Sequence, residues 1–387
     1  MKNIIPVVFA ANDNYVPYLG VALTSLIANI SDENMYMIYV LTTDISDVHM
    51  KKISAMGKSD VKIEFIDVSD LMSGRKIGTV KHLSPETAYR LLIEKIFKDY
   101  EKILYLDCDI VINRDVAELY NTDIGDNLLG AARGMVFEPE YIADELKLNR
   151  DNYFNAGILV MNVKKFAQEN IGEKGLEMLS QKNYNSQDQD VLNILCQDRV
   201  KYLDSHWNIE WQYITGMVKK FYITEYIEKI ITYRDDPYIV HYTSHIKPWI
   251  NPGFLLADYF WKYAKKSDFY DEITERYRAK KEYDFKFPEE KVNKNDKIIL
   301  YGYGIAGYSY FEQIIREELC ELAAVCEKNT EKFRYTSLCV PIIGINEINN
   351  YDFDYIVISV RKKEIVDEIV KDLEAENISR DKIIWVN

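Results

Sequence analysis

Two aspartates that follow an apolar run are well suited to hold a metal ion. Asp107 and Asp109 flank Cys108 and come directly after residues 103–106, which have the composition of a buried strand. In an extended chain, residues two positions apart share a face, so both carboxylates can approach one cation while Cys108 points into the packing. Such oxygen ligands suit Mg²⁺ or Mn²⁺, which can bridge a diphosphate. The open alternative is a pair of solvated aspartates at a strand end.

A second polar segment follows the apolar run at residues 238–240. It contains His241, Ser244 and Lys247. The imidazole of His241 can complete a metal site with the two aspartates, and the ammonium of Lys247 can hold a phosphate oxygen. The alternative that stays open makes His241 a hydrogen-bonded core residue and Lys247 a surface charge.

The elements that position these residues are predicted from alternating strand and helix patterns. Apolar, β-rich runs at 4–10, 35–41 and 61–66 alternate with amphipathic stretches at 15–28 and 46–56. This βαβαβ order predicts a largely parallel open sheet with helices on both faces. The sheet continues past residue 160, with a helix at 85–97 and strands at 102–106, 128–132 and 157–162. The aspartates therefore lie at the carboxyl end of a strand, where ligand crevices of such sheets form.

The chain changes character after residue 261. Residues 261–296 mix charges with tyrosines and lack strand signals, which predicts a helical connection followed by a linker. A new α/β unit then begins, with strands at 297–301, 322–326, 355–360 and 382–386 and helices at 306–319 and 362–373. We therefore predict a first domain over residues 1–265, a charged helical linker over 266–294 and a small Rossmann-like α/β domain over 295–387.

The composition narrows the class of protein. With 387 residues, of which 48% are hydrophobic, the chain has enough apolar material for buried cores. A formal net charge of −14 repels a phosphate backbone, so nucleic acid is not an expected partner. No run approaches the ~20 apolar residues of a membrane span, and the five cysteines include no CxxC pair. We expect a cytoplasmic protein with reduced thiols, and leave peripheral membrane association open.

Six segments in order resemble glycosyltransferase family 8, the retaining galactosyl- and glucosyltransferases of lipopolysaccharide and related glycans. They are residues 8–15, 87–91, 104–109, 153–159, 187–193 and 241–249. The resemblance spans about residues 4 to 260 and implies a GT-A fold, an open mixed sheet flanked by helices. It also implies metal-dependent transfer of a hexose from a UDP-sugar to a glycan or lipopolysaccharide-type acceptor.

The resemblance further implies a role for individual residues. The metal, Mn²⁺ or Mg²⁺, would be held by Asp107, Asp109 and His241. The donor nucleotide would contact Ala10, Asn12, Asn14, Asp107, Ser244 and Lys247, with the uridine at the first three and the diphosphate at Lys247. The donor sugar would lie among the candidate catalytic residues Arg90, Asn155, Asp188 and Gln189. Asp188 and Gln189 are the nearest candidates for a nucleophile, although front-face attack, which we favour, needs none.

Three positions depart from the family pattern. Asn12 stands where an acid is common, although its amide oxygen can still accept the uracil N–H. Ser244 replaces a glycine, and its side chain either crowds the diphosphate or adds a hydrogen bond to it. Arg133 and Gly134 fall where many members have an aspartate that grips sugar hydroxyls, so the transferred sugar is not predicted. Asn12 and Asn14 have a structural alternative, which is to shape a turn.

Two other classes of function stay open. Gly302, Gly304 and Gly307 lie between a predicted strand and helix, and Glu327 follows twenty residues later, a pattern typical of NAD(P)-dependent oxidoreductases. However, roughly 90 residues leave little room for a second mononucleotide-binding half and a substrate domain. The third class is a non-catalytic nucleotide-sugar-binding protein. The resemblance also implies that the acceptor contacts variable loops, such as residues 208–233.

Overall fold

The computed structural model describes residues 2–75, 77, 84–134, 139–210, 232–233, 235–243, 247–250, 256–279, 285–328 and 340–386. Contacts between Cα atoms divide the chain into two units. The first is Met1–His245 with Tyr263–Tyr270, and the second is Ile246–Lys262 with Asp271–Asn387. Among the described helices, none combines the length and apolar character that crossing a bilayer requires.

The strands of the first unit form two sheets. In chain order they are β1 (Asn3–Ala10), β2 (Asn34–Thr42), β3 (Val61–Asp67), β4 (Lys102–Leu106), β5 (Ile110–Ile112), β6 (Leu129–Arg133), β7 (Phe154–Asn162), β8 (Val200–Tyr202), β9 (Ile209–Glu210) and β10 (Ile239–His241). The larger sheet has the order β3-β2-β1-β4-β7-β6-β8. Strands β1 to β4 are parallel, which confirms the predicted βαβαβ start, whereas β7 is antiparallel to β4 and β6 and makes the sheet mixed.

Helices flank this sheet. They are α1 (Val16–Ala28), α2 (Asp47–Ser54), α3 (Ser69–Met72), α4 (Ile93–Ile96), α5 (Val116–Tyr120), α6 (Val163–Glu169), α7 (Ile171–Gln181) and α8 (Asp188–Leu195). The helix predicted at 85–97 is present, but its first part, Pro85–Leu92, is a 3-10 helix that continues into α4. The carboxylate of Glu94 fixes this segment, because it accepts hydrogen bonds from the backbone N–H groups of Gly172 (2.8 Å) and Glu173 (3.2 Å) at the start of α7.

The smaller sheet joins the two polar segments of the sequence. Its order is β5-β10-β9, and β10 is antiparallel to β5, with His241 opposite Ile110. The backbone N–H of Tyr242 donates to the carbonyl oxygen of Asp109 at 2.9 Å. This pairing places His241 beside Asp109, although the two residues are distant in sequence.

The second unit contains a five-stranded parallel sheet. Its strands are β11 (Lys297–Tyr301), β12 (Glu321–Cys326), β13 (Ile342–Ile343), β14 (Tyr355–Ile358) and β15 (Ile383–Trp385), in the order β13-β12-β11-β14-β15. Helices α9 (Ala257–Ala264) and α10 (Tyr270–Arg278) precede the sheet in sequence, and α11 (Ile305–Glu317) and α12 (Lys363–Ala375) connect its strands. The predicted α/β pattern is confirmed with ends shifted by one or two residues, but β13 was missed because two residues carry no periodicity.

The thiols of the described residues are free, as predicted. Cys108, Cys196 and Cys326 are buried, and Cys320 is half-buried. The Cys108 Sγ–H donates to the carbonyl oxygen of Ala10 at 3.1 Å, so this side chain points into the packing as expected. The fifth cysteine, Cys339, lies outside the described residues.

Gly307 at the start of α11 packs against the turn that follows β11. A Cβ atom at this position would overlap the carbonyl oxygen of Gly302 and lie 2.7 Å from Oγ of Ser359. Gly304 has no such constraint, because a Cβ atom there would meet nothing within 4 Å. Of these two glycines of one motif, position 307 therefore requires a glycine, whereas position 304 has room for a methyl group.

The substitution Gly307→Ala is therefore expected to destabilise the second unit by roughly 1–3 kcal/mol or more, since backbone must move to admit the methyl group. Gly304→Ala serves as the matched control and is expected to cost less than about 1 kcal/mol. Urea unfolding of the two full-length variants measures the difference. Equal stabilities would show that the turn adapts without cost.

Candidate metal centre

Asp107, Asp109 and His241 converge at one point. One ligand atom from each lies within 4.8 Å of the other two. Nε2 of His241 is 3.2 Å from Oδ1 of Asp109 and 3.7 Å from Oδ2 of Asp107. The imidazole is 2% exposed, whereas the Asp107 and Asp109 side chains are 24% and 14% exposed, so solvent reaches the site from the carboxylate side. Two carboxylates and one imidazole fit Mn²⁺ or Mg²⁺ and leave coordination positions for oxygens of a substrate.

The electrostatics of the site favour a cation. Burial would lower the pKa of His241, but the nearby carboxylates of Asp109 and Asp107 raise this pKa overall. The same negative potential that favours an imidazolium also favours a divalent ion. The site therefore fits the metal expected from the sequence.

Strand β7 passes so close to the site that it requires a glycine. A Cβ atom on Gly157 would overlap Cε1 of His241 and lie 2.6 Å from Oδ2 of Asp107. The carbonyl oxygen of Gly157 also accepts a hydrogen bond from the Asp107 N–H at 2.8 Å. Gly157 thus provides both the space and a backbone anchor for the first carboxylate.

Arg90 is a buried cation that orients Asp107. Its Nη2 donates to Oδ1 of Asp107 at 3.0 Å, and the Tyr105 hydroxyl donates to the same oxygen at 2.9 Å. The guanidinium also stacks 4.4 Å from the centroid of the Tyr105 ring, and its Nη1 donates to the carbonyl oxygen of Ala156. With Oδ1 engaged in this way, Oδ2 is the Asp107 oxygen that faces His241.

Asp188 is a buried carboxylate beside Arg90. Burial raises its pKa to about 6, and the charge of Arg90 offsets part of this effect. Its Oδ2 lies 2.9 Å from Nε of Arg90, but the pair is not aligned as a hydrogen bond, because Nε donates to the carbonyl oxygen of Thr87. The preceding residue, Gln187, has φ of 43°, a strained conformation of the kind that clusters at functional sites.

Asn155 and Gln189 are connected to His241 through Asn208. The contacts are His241 Nδ1 to Asn208 Oδ1 (3.0 Å), Asn208 Nδ2 to Asn155 Oδ1 (2.9 Å) and Asn155 Nδ2 to Gln189 Oε1 (3.1 Å). We call Asn208, Asn155 and Gln189 the amide relay. The sequence analysis did not single out Asn208, because an asparagine in a variable segment has no pattern that predicts contact with a distant histidine.

The predicted uridine residues lie at the end of β1. The carbonyl oxygen of Ala10 contacts Cys108, the residue between the two aspartates of the metal site. Oδ1 of Asn12 accepts the N–H of Tyr15 at 3.1 Å and caps the 3-10 helix Asp13–Tyr15, so Asn12 does shape this turn. Asn14 is exposed. Contact of these residues with uridine stays a prediction.

The other predicted positions are Lys247, Ser244, Arg133 and the acceptor loop, and the structure describes them only in part. Lys247 is buried, with its ammonium 6.0 Å from the centroid of the Trp249 ring, and Ser244 lies outside the described residues. Arg133, at the position where an aspartate is common, stacks 4.0 Å from the Tyr202 ring centroid and donates to the carbonyl oxygen of Asp151 at 2.8 Å. Most of the acceptor loop predicted at 208–233 lies outside the described residues.

Comparison with known proteins identifies two families along the chain. Residues 6–252 match the sequence profile of Glycosyl transferase family 8, which is well over half of the chain. Residues 294–384 match a family described as C2185-like, N-terminal. The first match covers all the residues of the metal site and of the amide relay.

Individual relatives agree with the first match. A Haemophilus influenzae protein is 32% identical over 52% of the chain, and the chain spans 62% of that relative's length. The lipopolysaccharide 1,3-galactosyltransferase of Salmonella typhimurium is 26% identical, over 66% of this chain and 76% of the relative. The solved structure of the galactosyltransferase LgtC with donor and acceptor sugar analogues is 28% identical, with a TM-score of 0.55 over 68% of this chain and 96% of that one. The first unit therefore has a GT-A-like fold.

Proposed function

Because the chain belongs to glycosyl transferase family 8, we propose that it transfers a hexose from a UDP-sugar to a glycan or lipopolysaccharide-type acceptor, with Mn²⁺ or Mg²⁺ as cofactor. The observation that carries this proposal is the convergence of Asp107, Asp109 and His241 at the carboxyl end of β4. The similarity to the lipopolysaccharide 1,3-galactosyltransferase of Salmonella typhimurium supports a hexose donor and a lipopolysaccharide-type acceptor.

Each residue of the metal site has a defined part in this proposal. Oδ2 of Asp107, the carboxylate of Asp109 and Nε2 of His241 would hold the ion. When bound, the metal supplies Lewis-acid stabilisation of the charge on the leaving diphosphate. Arg90 keeps Asp107 in position, and the family motif assigns a diphosphate oxygen to the ammonium of Lys247.

The environment of Asp188 supports transfer without a covalent intermediate. Its side chain is buried beside Arg90, which leaves the carboxylate little access to an anomeric carbon. We infer front-face attack with retention of configuration. The acceptor oxygen forms the new bond to the anomeric carbon, the bond to the diphosphate breaks, and the leaving phosphate oxygen takes the acceptor's proton.

We also propose that residues 295–387 form a Rossmann-like domain, joined by the linker 266–294 to a catalytic domain over 1–265. The parallel order β13-β12-β11-β14-β15 and the glycine-rich turn after β11 support this. Glu327, the residue expected at a ribose in an oxidoreductase, accepts hydrogen bonds from the N–H groups of Tyr303 and Lys328. A packing role for the glycines is therefore favoured over dinucleotide binding.

A donor screen tests the proposed function. UDP-glucose, UDP-galactose and UDP-N-acetylglucosamine are incubated with the full chain and Mn²⁺, and UDP release is measured without acceptor. Release from a UDP-hexose, lost on addition of EDTA, is the expected result. UDP binding without release from any donor would favour the non-catalytic class, and a change in nicotinamide absorbance with NAD(P)H would favour the oxidoreductase.

A further inference from the structure

We propose that Asn208 is a positioning residue that keeps the proton of the His241 ring on Nδ1, so that Nε2 presents its lone pair to the metal. The inference rests on the metal-dependent function proposed for the site. It concerns hydrogen-bond direction: each carboxamide of the amide relay can face either way, but its neighbours allow only one orientation.

The first step is the orientation of Asn155 and Gln189. A backbone N–H can only donate, so an atom that receives one must be an acceptor. The N–H of Gly157 lies 2.9 Å from Oδ1 of Asn155, and the N–H of Ala156 lies 3.0 Å from Oε1 of Gln189. Both contacts identify the oxygen of the side chain. Strand β7, which supplies these N–H groups, therefore sets the orientation of both carboxamides.

The second step carries this direction to His241. Because the atom of Asn155 that faces Asn208 is an oxygen, Asn208 must offer its NH₂ group there, at 2.9 Å. The other side of the Asn208 carboxamide, its oxygen, then faces Nδ1 of His241 at 3.0 Å. An amide oxygen only accepts, so Nδ1 must carry the proton. Nε2, which faces Asp107 and Asp109, keeps its lone pair when the ring is neutral.

The far end of the relay gives the same direction. Nε2 of Gln189 donates to the Tyr153 hydroxyl at 3.0 Å, and this hydroxyl donates to Oδ1 of Asp190 at 2.5 Å. Asp190 is fully buried and also accepts from the Tyr141 hydroxyl at 2.9 Å and the Ser186 N–H at 2.9 Å. A carboxylate bonded in this way ends the relay as an acceptor. Every donor from His241 onward therefore points toward Asp190.

Burial makes this direction costly to reverse. Asn208 is 3% exposed, Asn155 7% and His241 2%. Turning one carboxamide would set oxygen against oxygen or N–H against N–H in a region with little access to water, and each such mismatch costs about 1–3 kcal/mol. The relay thus holds both the tautomer and the plane of the His241 ring.

The first test reads the tautomer directly, in the metal-free protein. ¹⁵N spectra of histidine-labelled protein are recorded at a pH that leaves the ring neutral, with the His241 signal assigned by its loss in His241→Gln. We expect the Nδ1–H form in the wild type and a shift toward the Nε2–H form in Asn208→Ala. An Nε2–H ring in the wild type would overturn the proposal, even if the variants fail to fold.

The second test measures Mn²⁺ affinity by calorimetry. Asn208→Ala is expected to bind about 10–100-fold more weakly, as for other partners of metal-ligating histidines. Asn208→Asp keeps an oxygen acceptor for Nδ1–H but sets a second oxygen against Oδ1 of Asn155, so it is expected to restore only part of the affinity. Asn127→Ala removes a carboxamide that donates to the carbonyl of Ile124 in the turn before β6, and is expected to leave affinity unchanged.

The outcomes separate this proposal from the proposed function. Wild-type affinity in a folded Asn208→Ala variant would refute the positioning role. Tight Mn²⁺ binding that depends on Asn208, without release of UDP from any donor, would refute the transferase function and leave the positioning role standing. Absence of Mn²⁺ and Mg²⁺ binding in the wild type would refute the metal site on which both depend.

Discussion

Replacement of Asp109 by Asn is expected to abolish divalent-metal binding and to reduce UDP release by roughly 10²–10⁴-fold. Its carboxylate is one of the two anionic ligands in the proposed metal site, and its Oδ1 is 3.2 Å from Nε2 of His241. The neutral carboxamide has nearly the same volume but cannot balance the charge of the cation. Loss of the several kcal/mol that a metal contributes to transition-state stabilisation gives this range.

The experiment compares metal affinity by calorimetry with UDP release in the presence of Mn²⁺. Asp126→Asn is the matched control, because the Asp126 side chain is fully exposed and pairs only with Lys165 among the contacts described. This control is expected to behave as the wild type. Full activity in Asp109→Asn, or undiminished wild-type activity in EDTA, would contradict a role for the metal.

Gly157→Ala is expected to weaken Mn²⁺ binding at least about 100-fold, although Gly157 is not a ligand. The added methyl group would overlap Cε1 of His241 and crowd Oδ2 of Asp107. Neither neighbour has an easy alternative position, because Asn208 holds the imidazole and Arg90 holds the carboxylate. Displacement of either ligand disrupts the site, and overpacking costs roughly 1–3 kcal/mol of stability as well.

Calorimetric titration with Mn²⁺ and thermal unfolding of the metal-free protein separate the two effects. Gly304→Ala, which adds the same methyl group in open space, is the control for the substitution itself. The expected pattern is lost metal binding with a folded Gly157→Ala protein. Wild-type metal affinity in this variant would show that β7 can move away from the site, and that its close approach has no role in shaping it.

Local patterns in the sequence were sufficient for much of this fold. The alternation that predicted β1 to β4 and their helices arises from which face of each element is buried, and that information lies within a few neighbouring residues. The same local geometry predicted that Asp107 and Asp109 share a face while Cys108 is buried, as the structure confirms. The position of His241 after a second apolar run made it a candidate metal ligand, whereas Asn155 and Gln189 became site candidates only through the family resemblance.

Long-range contacts account for the features that the sequence did not reveal. The pairing of β5 with β10 brings His241 to Asp109, yet short apolar strands carry no signal for their partner. The antiparallel direction of β7 depends likewise on its pairing with β4, which is distant in sequence. The need for glycine at position 157 arises from the close approach of β7 to His241 and Asp107. The direction of the amide relay depends on two backbone N–H groups of β7, which orient the carboxamides of Asn155 and Gln189, and on the contact of the Asn155 side chain with Asn208 from the segment before β9. Asparagine and glutamine are ordinary polar residues in sequence, and only the donors and acceptors around them in the folded chain select one orientation.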